Sequence, residues 1–262
     1  MGSLIRITLV TVPAADAELA ADALWAAGAS AVEERPGPTP AVVTLVADVA
    51  LLEAVDGWRV ETADVDDGLD AWRDHAQRWS AGPFRIRPPW FDSAADAEGI
   101  DLVIDPGRAF GSGSHPTTRL VLAELPALVT GGARVLDVGC GSGVLGIAAA
   151  ALGAAELDAV DTDAAAHDAT AANARLNGVT VRLTDLDSVA GRYDVVVANI
   201  NTATLRSLAP ALAPLGTHLV LSGLLIDQAD EIAAAYSAAA GCIEVRRRAE
   251  DGWVVLVLRA AA

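Results

Sequence analysis

Residues 134–150 read RVLDVGCGSGVLGIAAA, and this stretch decides the fold class. A run of apolar residues ends at Asp137, a glycine-rich loop follows, and a second apolar run has the composition of a helix. Gly139, Gly141 and Gly143 give the loop a G-x-G-x-G spacing. Because glycine has no Cβ, a ligand can approach such a loop closely, and free N–H groups at the start of the helix can point at it. The stretch predicts a strand–loop–helix unit that binds a ligand; a tight turn alone is the structural alternative.

The pattern around this unit predicts an α/β fold. From residue 100 onward, apolar β-rich runs alternate with helical patterns, which is typical of a mostly parallel sheet with helices on both faces. The run at 100–105 predicts the first strand of this sheet. The Asp-Gly pair at 251–252 predicts a hairpin, so the last two strands are expected to be antiparallel.

The first quarter of the chain has a different pattern. Strands and helices follow a βαββαβ-like order within residues 1–66. That order predicts a small α+β domain with its helices, at 14–27 and 49–56, on one face of an antiparallel sheet. Residues 67–98 predict a linker helix followed by a strand that stops at prolines, and residues 99–262 form the predicted α/β domain.

The chain is acidic, with 35 Asp and Glu residues against 18 Lys and Arg and a formal net charge of −17. Nucleic acids need clustered Lys and Arg for phosphate contacts, and the only local cluster is EVRRRAE at 244–250, so no direct nucleic-acid partner is expected. An acidic chain suits a cationic partner, namely a basic protein, an amine or a positively charged cofactor. Solubility alone is the alternative explanation of the charge.

Membrane and metal signals are missing from the sequence. No apolar run reaches the roughly 18 residues that a membrane span needs, and the first residues lack the charged region and cleavage site of a signal peptide. The two cysteines, Cys140 and Cys242, have neither metal-site nor disulfide spacing. We therefore expect a cytoplasmic protein with no membrane partner and no metal.

Two further strand ends carry polar side chains that suit a nucleoside cofactor. Asp161 ends the strand after the glycine loop, where a carboxylate can accept hydrogen bonds from ribose hydroxyls. Asn199 follows the apolar run at 195–198 and is expected at the carboxyl edge of the sheet, where ligands bind. Its amide can accept a hydrogen bond from an amine without protonating it. A helix N-cap or a turn is the alternative for a single asparagine there.

The identity of the cofactor depends on the residues around the loop. Asp137 precedes the first glycine by two positions and favours S-adenosyl-L-methionine, because a carboxylate there suits a cationic amino-acid end and repels a pyrophosphate. Gly141, Gly143 and Gly146 also match G-x-G-x-x-G, the dinucleotide fingerprint. A nicotinamide-dependent oxidoreductase is therefore the competing hypothesis from a different class of enzyme.

With these residues assembled, the chain resembles the ribosomal protein L11 methyltransferase family. The second glycine-rich stretch, DPGRAFGSGSHPTT at 105–118, is more specific for this family than a glycine loop alone. The matching stretches lie in family order over most of the chain: DAWRDHAQRWSAGPFRIRPPW, IDPGRAFGSGSHPTTRL, VLDVGCGSGVLGIAAA, VDTD, AANARLNGV, DVVVANI, LSGLL and GWVVLVLR.

The resemblance implies a seven-stranded Rossmann-like methyltransferase fold with a small N-terminal substrate-recognition domain. Phe110 would form a wall beside the cofactor, and Asn199 would lie by the methyl group and the target nitrogen as the catalytic residue. His115 is expected to cap a helix or pack, with substrate contact as the alternative. The implied cofactor-binding residues are Phe110, Thr118, Gly139, Gly141, Asp161 and Asn199.

The resemblance also implies an activity, which is methylation of lysine side chains, the N-terminal α-amine or both on ribosomal protein L11, with S-adenosyl-L-methionine as methyl donor. A methyltransferase of the same fold that acts on another protein lysine or a small amine is the first alternative. A binding module without catalysis is another. The expected partner is a basic ribosomal protein, and the protein itself is expected to be a monomer.

Overall fold

In the computed structural model, the structure describes residues 4–26, 32–36, 39, 42–47, 58–66, 77–93, 98–105 and 114–261. The chain divides into two compact units, Met1–Ala76 and Gln77–Ala262. The predicted helix at 49–56 and the helix predicted at the start of the linker lie outside the described residues.

The first unit is an antiparallel sheet with a helix packed on it. Its sheet has the order β2-β3-β1-β4, and every neighbouring pair is antiparallel. Ala20 and Leu24, one helical turn apart, are buried with Val10 and Val12, which alternate along the first strand. The α+β character predicted for this part of the chain is confirmed. Its elements are β1 (Leu4–Pro13), α1 (Ala17–Ala26), β2 (Val32–Pro36), β3 (Val42–Ala47) and β4 (Arg59–Asp66).

The second unit begins with a small three-stranded sheet of β5 (Trp79–Ala81), β6 (Phe84–Arg87) and β7 (Ile100–Val103). β5 and β6 are antiparallel, whereas β6 and β7 are parallel. β6 ends directly before Pro88, as a strand that stops at prolines should. The first four residues of the run at 100–105 form a strand, but its expected place in the large sheet is wrong, because β7 pairs with β6 instead. Apolar patterning indicates a strand without specifying its partner.

The rest of the second unit is the predicted α/β sheet. Its seven strands have the order β10-β9-β8-β11-β12-β14-β13. The neighbouring pairs from β10 to β12 are parallel, and β14 is antiparallel to both of its neighbours. The predicted seven-stranded, mostly parallel sheet is confirmed. The elements are α2 (Pro116–Leu128), β8 (Arg134–Val138), α3 (Val144–Ala151), β9 (Glu156–Val160), α4 (Ala164–Leu176), β10 (Arg182–Leu183), β11 (Tyr193–Asn199), α5 (Thr202–Leu212), β12 (Gly216–Leu225), α6 (Ala229–Ala240), β13 (Ile243–Glu250) and β14 (Trp253–Arg259).

Both faces of the large sheet are buried. On β11, Val195 and Val197 pack in one apolar cluster, together with residues of α2 and α3. Val196 and Ala198 alternate with them and pack in a second cluster, together with residues of α5 and α6. This explains why the central strands read as continuous apolar runs, since a strand covered on both faces has no solvent side.

The hairpin between the last two strands has the geometry that its sequence predicts. Asp251 and Gly252 have φ angles of 51° and 80°. Positive φ at both central residues is the requirement of a type I′ turn, which Asp-Gly satisfies with little strain. The turn joins Glu250 to Trp253 across the strand pair and so completes the antiparallel edge of the sheet.

Candidate functional site

The candidate site lies where the strand order of the large sheet reverses. β9 pairs with one side of β8 and β11 pairs with the other. Ligands of open α/β sheets bind at such a switch point, outside the carboxyl ends of the strands. Asp137, Asp161 and Asn199 lie at the ends of these three strands, so the sheet brings the predicted polar residues to one edge.

The glycine loop between β8 and α3 needs its glycines for steric reasons. Gly139, Gly141 and Gly143 have φ angles of 72°, 52° and 79°. A Cβ on Gly139 would lie 2.3 Å from Cγ2 of Ile200, and one on Gly143 would lie 2.9 Å from Cγ2 of Thr170. The chain therefore passes the end of β11 and the side of α4 at distances that only glycine permits.

The backbone N–H groups of the loop are largely used within the protein, which corrects the expectation that they are free to point at a ligand. Gly139 and Cys140 both donate to the carbonyl of Val160, at 2.8 and 3.1 Å. Gly141 donates to Oδ2 of Asp161 at 3.0 Å. Since the loop folds back on the end of β9, its glycines serve close approach more than donation.

The first turn of α3 is capped by side chains of the preceding segment. Asp137 is 1% exposed, and its Oδ2 accepts a hydrogen bond from the N–H of Gly146 at 2.9 Å. The N–H of Val144 donates to Oγ of Ser142 at 3.3 Å. Two N–H groups that a helix N-terminus can offer to an anion are thus already bonded, one of them to a carboxylate.

The second oxygen of Asp137 gives the site its electrostatic character. Oδ1 is buried and has no hydrogen-bond partner among the residues that the structure describes. Burial raises the pKa of this carboxyl to about 7, the bond from Gly146 opposes the rise, and the charge of Asp161 adds to it. A positive group nearby would stabilise the ionised carboxylate, so the arrangement favours a cationic ligand.

Asp161 is held in place by the backbone around it. Besides the bond from Gly141, its Oδ1 accepts a hydrogen bond from the N–H of Asp163 at 3.1 Å. Its own N–H donates to Nε2 of His167 at 3.2 Å. Each carboxylate oxygen accepts one of these bonds and has the capacity for another, so ribose hydroxyls can add to this arrangement.

Asn199 and Thr118, both implied as cofactor residues, meet directly. Nδ2 of Asn199, at the end of β11, donates to Oγ1 of Thr118 at 3.3 Å. Thr118 is fully buried in the first turn of α2, and its N–H donates to the carbonyl of His115 at 3.0 Å. The bond orients the amide so that Oδ1 is left to accept from another group. Phe110, the remaining implied residue, lies outside the described residues.

His115 is the N-cap of α2, in agreement with the expectation of capping or packing. Its Nδ1 accepts from the N–H of Thr117 at 3.3 Å and lies 2.7 Å from Oγ1 of the same residue. The imidazole also packs edge-on against Trp253, with ring centroids 5.0 Å apart and an interplanar angle of 69°. These contacts hold the start of α2, which carries Thr118.

Two residues that support the loop were not singled out from the sequence. On α4, Oγ1 of Thr170 donates to the carbonyl of Gly141 at 3.0 Å, and Nδ2 of Asn173 donates to the carbonyl of Ser142 at 2.9 Å. Both side chains are almost fully buried. In a sequence, polar residues of an amphipathic helix suggest its solvent face. The only local sequence feature that links Thr170 and Asn173 is their spacing of three residues, which places them side by side on the helix.

The arginine-rich cluster of β13 is paired with acidic side chains. Arg246 and Arg248 each lie 2.8 Å from the buried carboxylate of Glu124 on α2. Arg247 lies 2.7 Å from Asp230 on α6. These three partly exposed cations therefore form ion pairs within the protein.

Three features of the described parts of the chain concern metal ligands, the thiol of the glycine loop and membrane-spanning helices. Among those residues, no group of three or more His, Cys, Asp or Glu is arranged to hold a metal ion. Burial raises the pKa of the Cys140 thiol in the glycine loop to about 12, so the thiol stays protonated at neutral pH. No helix in the same parts is both long and apolar enough to cross a bilayer.

Relatives of the chain agree on one family name. The chain is 53% identical over 169 residues to the ribosomal protein L11 methyltransferase of Bordetella parapertussis, with 63% of this chain and 54% of that protein covered. It is 41% identical over 235 residues to the protein of the same name from Laribacter hongkongensis, with 88% and 72% covered. This chain covers only 52–58% of the length of the four relatives that it matches at 47–53% identity.

The fold and the family model point to the same group. A crystal structure of a ribosomal protein L11 methylase from Lactobacillus delbrueckii subsp. bulgaricus superposes with a TM-score of 0.64 at 30% identity, covering 69% of this chain and 96% of that one. The model of the family described as Ribosomal protein L11 methyltransferase (PrmA) matches residues 29–261, most of the chain. The chain therefore belongs to the ribosomal protein L11 methyltransferase family.

Proposed function

We propose that this chain is an S-adenosyl-L-methionine-dependent protein N-methyltransferase that methylates amino groups of ribosomal protein L11. The targets are lysine side chains, the N-terminal α-amine or both. The family supports this function, as do the names of the relatives from Bordetella parapertussis and Laribacter hongkongensis. The residues at the carboxyl edge of the sheet support it independently.

The observation that carries the proposal is the carboxylate of Asp137 beneath the loop. Its Oδ2 accepts the hydrogen bond of the Gly146 N–H in the first turn of α3. Its Oδ1 is buried with no hydrogen-bond partner among the described residues. A dinucleotide would place its pyrophosphate at this helix end and would meet a negative charge in place of free donors. A ligand with a sulfonium and an ammonium group gains from the same charge. The site thus favours S-adenosyl-L-methionine over a nicotinamide cofactor, despite the match to G-x-G-x-x-G.

Six residues are proposed to hold the cofactor, each at the position that its side chain suits. Asp161 accepts hydrogen bonds from the ribose hydroxyls, and Gly139 and Gly141, both with positive φ, shape the loop beside the cofactor. Thr118 contacts the cofactor from the first turn of α2, beside Asn199. The full set is Phe110, Thr118, Gly139, Gly141, Asp161 and Asn199.

Asn199 is proposed as the catalytic residue. S-adenosyl-L-methionine supplies a methyl group on a positively charged sulfur, which is a good leaving group. Because Nδ2 of Asn199 is bonded to Thr118, its Oδ1 can accept an N–H of the target amine and direct the nitrogen lone pair. An amide accepts this bond without protonating the amine, which must be neutral to react. The proton of the ammonium form passes to water, so the proposal requires no side-chain base.

The proposed partner is a basic ribosomal protein, which complements the formal charge of −17. Direct contact with nucleic acid is not part of the proposal, because Arg246, Arg247 and Arg248 lie in ion pairs with acidic side chains. A ribosomal protein substrate implies a reaction in the cytoplasm, where ribosomes are assembled. We propose that the protein acts there as a monomer.

Calorimetry with two ligands tests the cofactor assignment. S-adenosyl-L-homocysteine, the product form of the cofactor, is expected to bind with a micromolar Kd, and NAD is expected to show no heat of binding. Binding of NAD alone would assign the site to an oxidoreductase. Binding of S-adenosyl-L-homocysteine without methyl transfer to L11 would instead leave a methyltransferase with another amine substrate or a binding module.

A further inference from the structure

Asn173 lies at the junction of two chain segments that the candidate site needs. Its side chain is 1% exposed on α4. Nδ2 donates to the carbonyl of Ser142 in the glycine loop at 2.9 Å and to the carbonyl of Asp105 at 2.8 Å. Oδ1 accepts the N–H of Asp105 at 2.9 Å. One buried amide thus binds both the glycine loop and the chain that follows β7.

The loop has a second attachment on the same helix. Thr170, three residues before Asn173, donates to the carbonyl of Gly141. Two consecutive carbonyls of the loop, those of Gly141 and Ser142, therefore accept bonds from α4. On its other side, the loop is bonded to the end of β9 through the N–H of Gly141 and the carboxylate of Asp161. The position of the loop relative to Asp161 depends on both attachments.

We propose that Asn173 is a positioning residue for the cofactor, which sets the glycine loop against α4 and fixes it to the chain at Asp105. This inference rests on the proposed function, because it deepens the account of the same site. Asn173 touches no reacting atom in this account. Its loss would shift the carbonyls of the loop and, with them, the N–H of Gly141 that holds Asp161.

Only an amide can bond to all three backbone groups around the side chain of Asn173. The carbonyls of Ser142 and Asp105 need donors, whereas the N–H of Asp105 needs an acceptor. An aspartate would present oxygen to both carbonyls, and alanine would provide no bond at all. Serine keeps one short hydroxyl that can serve a single carbonyl. Loss of buried hydrogen bonds of this kind is expected to weaken binding about tenfold.

Asn177 provides a matched control on the same helix. One turn after Asn173, its amide donates to the carbonyl of Val103 at 2.7 Å and accepts the N–H of Val103 at 2.9 Å. It also donates to the backbone carbonyl of Asn173 at 2.8 Å, a group that Asn173→Ala keeps. It is bonded to the end of β7 in the way that Asn173 is bonded to Asp105. No bond joins Asn177 to the glycine loop among the contacts of the described residues, so its loss should affect stability without affecting the loop.

The experiment compares Asn173→Ala with Asn177→Ala in the full chain. KM for S-adenosyl-L-methionine and the Kd of S-adenosyl-L-homocysteine should rise about tenfold in Asn173→Ala, with kcat within about twofold of wild type. Asn177→Ala should keep the wild-type KM and Kd. Its melting temperature should fall about as much as that of Asn173→Ala. If Asn173→Ala does not fold, Asn173→Ser should give an intermediate rise in both constants.

Several outcomes would overturn the inference. Equal KM and Kd in wild type and Asn173→Ala, or in wild type and Asn173→Ser where the alanine variant does not fold, would show that Asn173 does not position the cofactor. Equal rises in both alanine variants would reduce its role to general stability. Failure of the wild type to bind S-adenosyl-L-homocysteine would contradict the proposed function itself, which separates the two failures.

Discussion

Two buried aspartates on neighbouring strands have opposite surroundings. Asp158 of β9 receives a two-pronged bond from Arg182 and a hydrogen bond from the hydroxyl of Tyr193. The bonds from Arg182 lower the pKa of its carboxyl most. Asp137 of β8 faces the other side of the sheet, with the N–H of Gly146 as its bonded partner, and burial raises its pKa to about 7.

The difference separates a structural acid from a functional one. The negative charge of Asp158 is balanced by Arg182 of the same chain, so no ligand is needed to stabilise its ionised form. Above about pH 7, Asp137 is ionised at a cost in folding free energy that the N–H of Gly146 offsets only in part, because Oδ1 has no hydrogen-bond partner among the described residues. A residue that destabilises the fold while its neighbour is fully paired is typical of a ligand site.

The largest expected effect is on the pH dependence of stability. The carboxyl pKa of Asp137 rises from 3.8 to about 7 on folding, which corresponds to roughly 4 kcal/mol. The folded state therefore keeps this proton between about pH 4 and 7 while the unfolded state loses it, so the residue's contribution to stability falls as pH rises through that window. Asp137→Asn should remove this fall, be more stable than wild type at pH 8, and bind S-adenosyl-L-methionine more weakly.

Urea denaturation of both proteins at several pH values measures this effect. Near pH 3 the two proteins should have similar unfolding free energies, since the carboxyl of Asp137 is then largely protonated in both the folded and the unfolded wild type. A wild type that is no less stable than Asp137→Asn at pH 8 would contradict an uncompensated charge at Asp137.

The next effect concerns catalysis at the carboxyl end of β11. Asn199→Ala should lower kcat for methyl transfer about 100-fold, equivalent to about 3 kcal/mol, because the target amine loses the acceptor that orients it. Single-turnover kinetics at saturating cofactor measures the chemical step apart from cofactor affinity. Unchanged turnover at saturation would remove Asn199 from the catalytic role.

The sequence alone predicts much of this edge of the sheet. Alternating strands and helices place Asp137, Asp161 and Asn199 at one edge, because the carboxyl ends of parallel strands coincide. The bond from Asn199 to Thr118 agrees with their assignment to one site. These results follow from periodicity and strand direction, which local sequence encodes.

Other features depend on long-range contacts that local sequence does not encode. The pairing of β7 with β6 could not be read from an apolar run, since both sheets accept the same pattern. The internal use of the loop N–H groups depends on how closely the loop folds onto Val160. The buried role of Asn173 depends on Asp105, far away in the chain, while its own helix pattern suggests a solvent position.

Asp158 should behave as the structural member of the pair. Asp158→Ala removes the acceptor of the buried Tyr193 hydroxyl and the partner of the exposed Arg182, so unfolding free energy should fall by about 2 kcal/mol. The Kd of S-adenosyl-L-homocysteine should not change when measured below the melting temperature. A loss of cofactor affinity without loss of stability would contradict the division of roles between the two aspartates.

The smallest expected effect is at the start of α2. His115→Ala removes the side-chain cap and the contact with Trp253, which should cost about 1 kcal/mol of unfolding free energy. Thermal denaturation measures it, and His115→Asn, which restores a capping oxygen, should recover part of the loss. A fall in kcat with unchanged stability would instead indicate that His115 contacts the substrate.

Methyl transfer to purified L11 tests the central claim most directly. The full chain is incubated with S-adenosyl-L-methionine and L11, and intact-mass and peptide mass spectrometry then locate any added methyl groups. The account predicts mass increases in steps of one methyl group at lysine side chains or the N-terminal amine, formed about 100-fold more slowly by Asn199→Ala and at the wild-type rate by Asp158→Ala. An L11 of unchanged mass in the presence of a chain that is folded and binds S-adenosyl-L-homocysteine would contradict it.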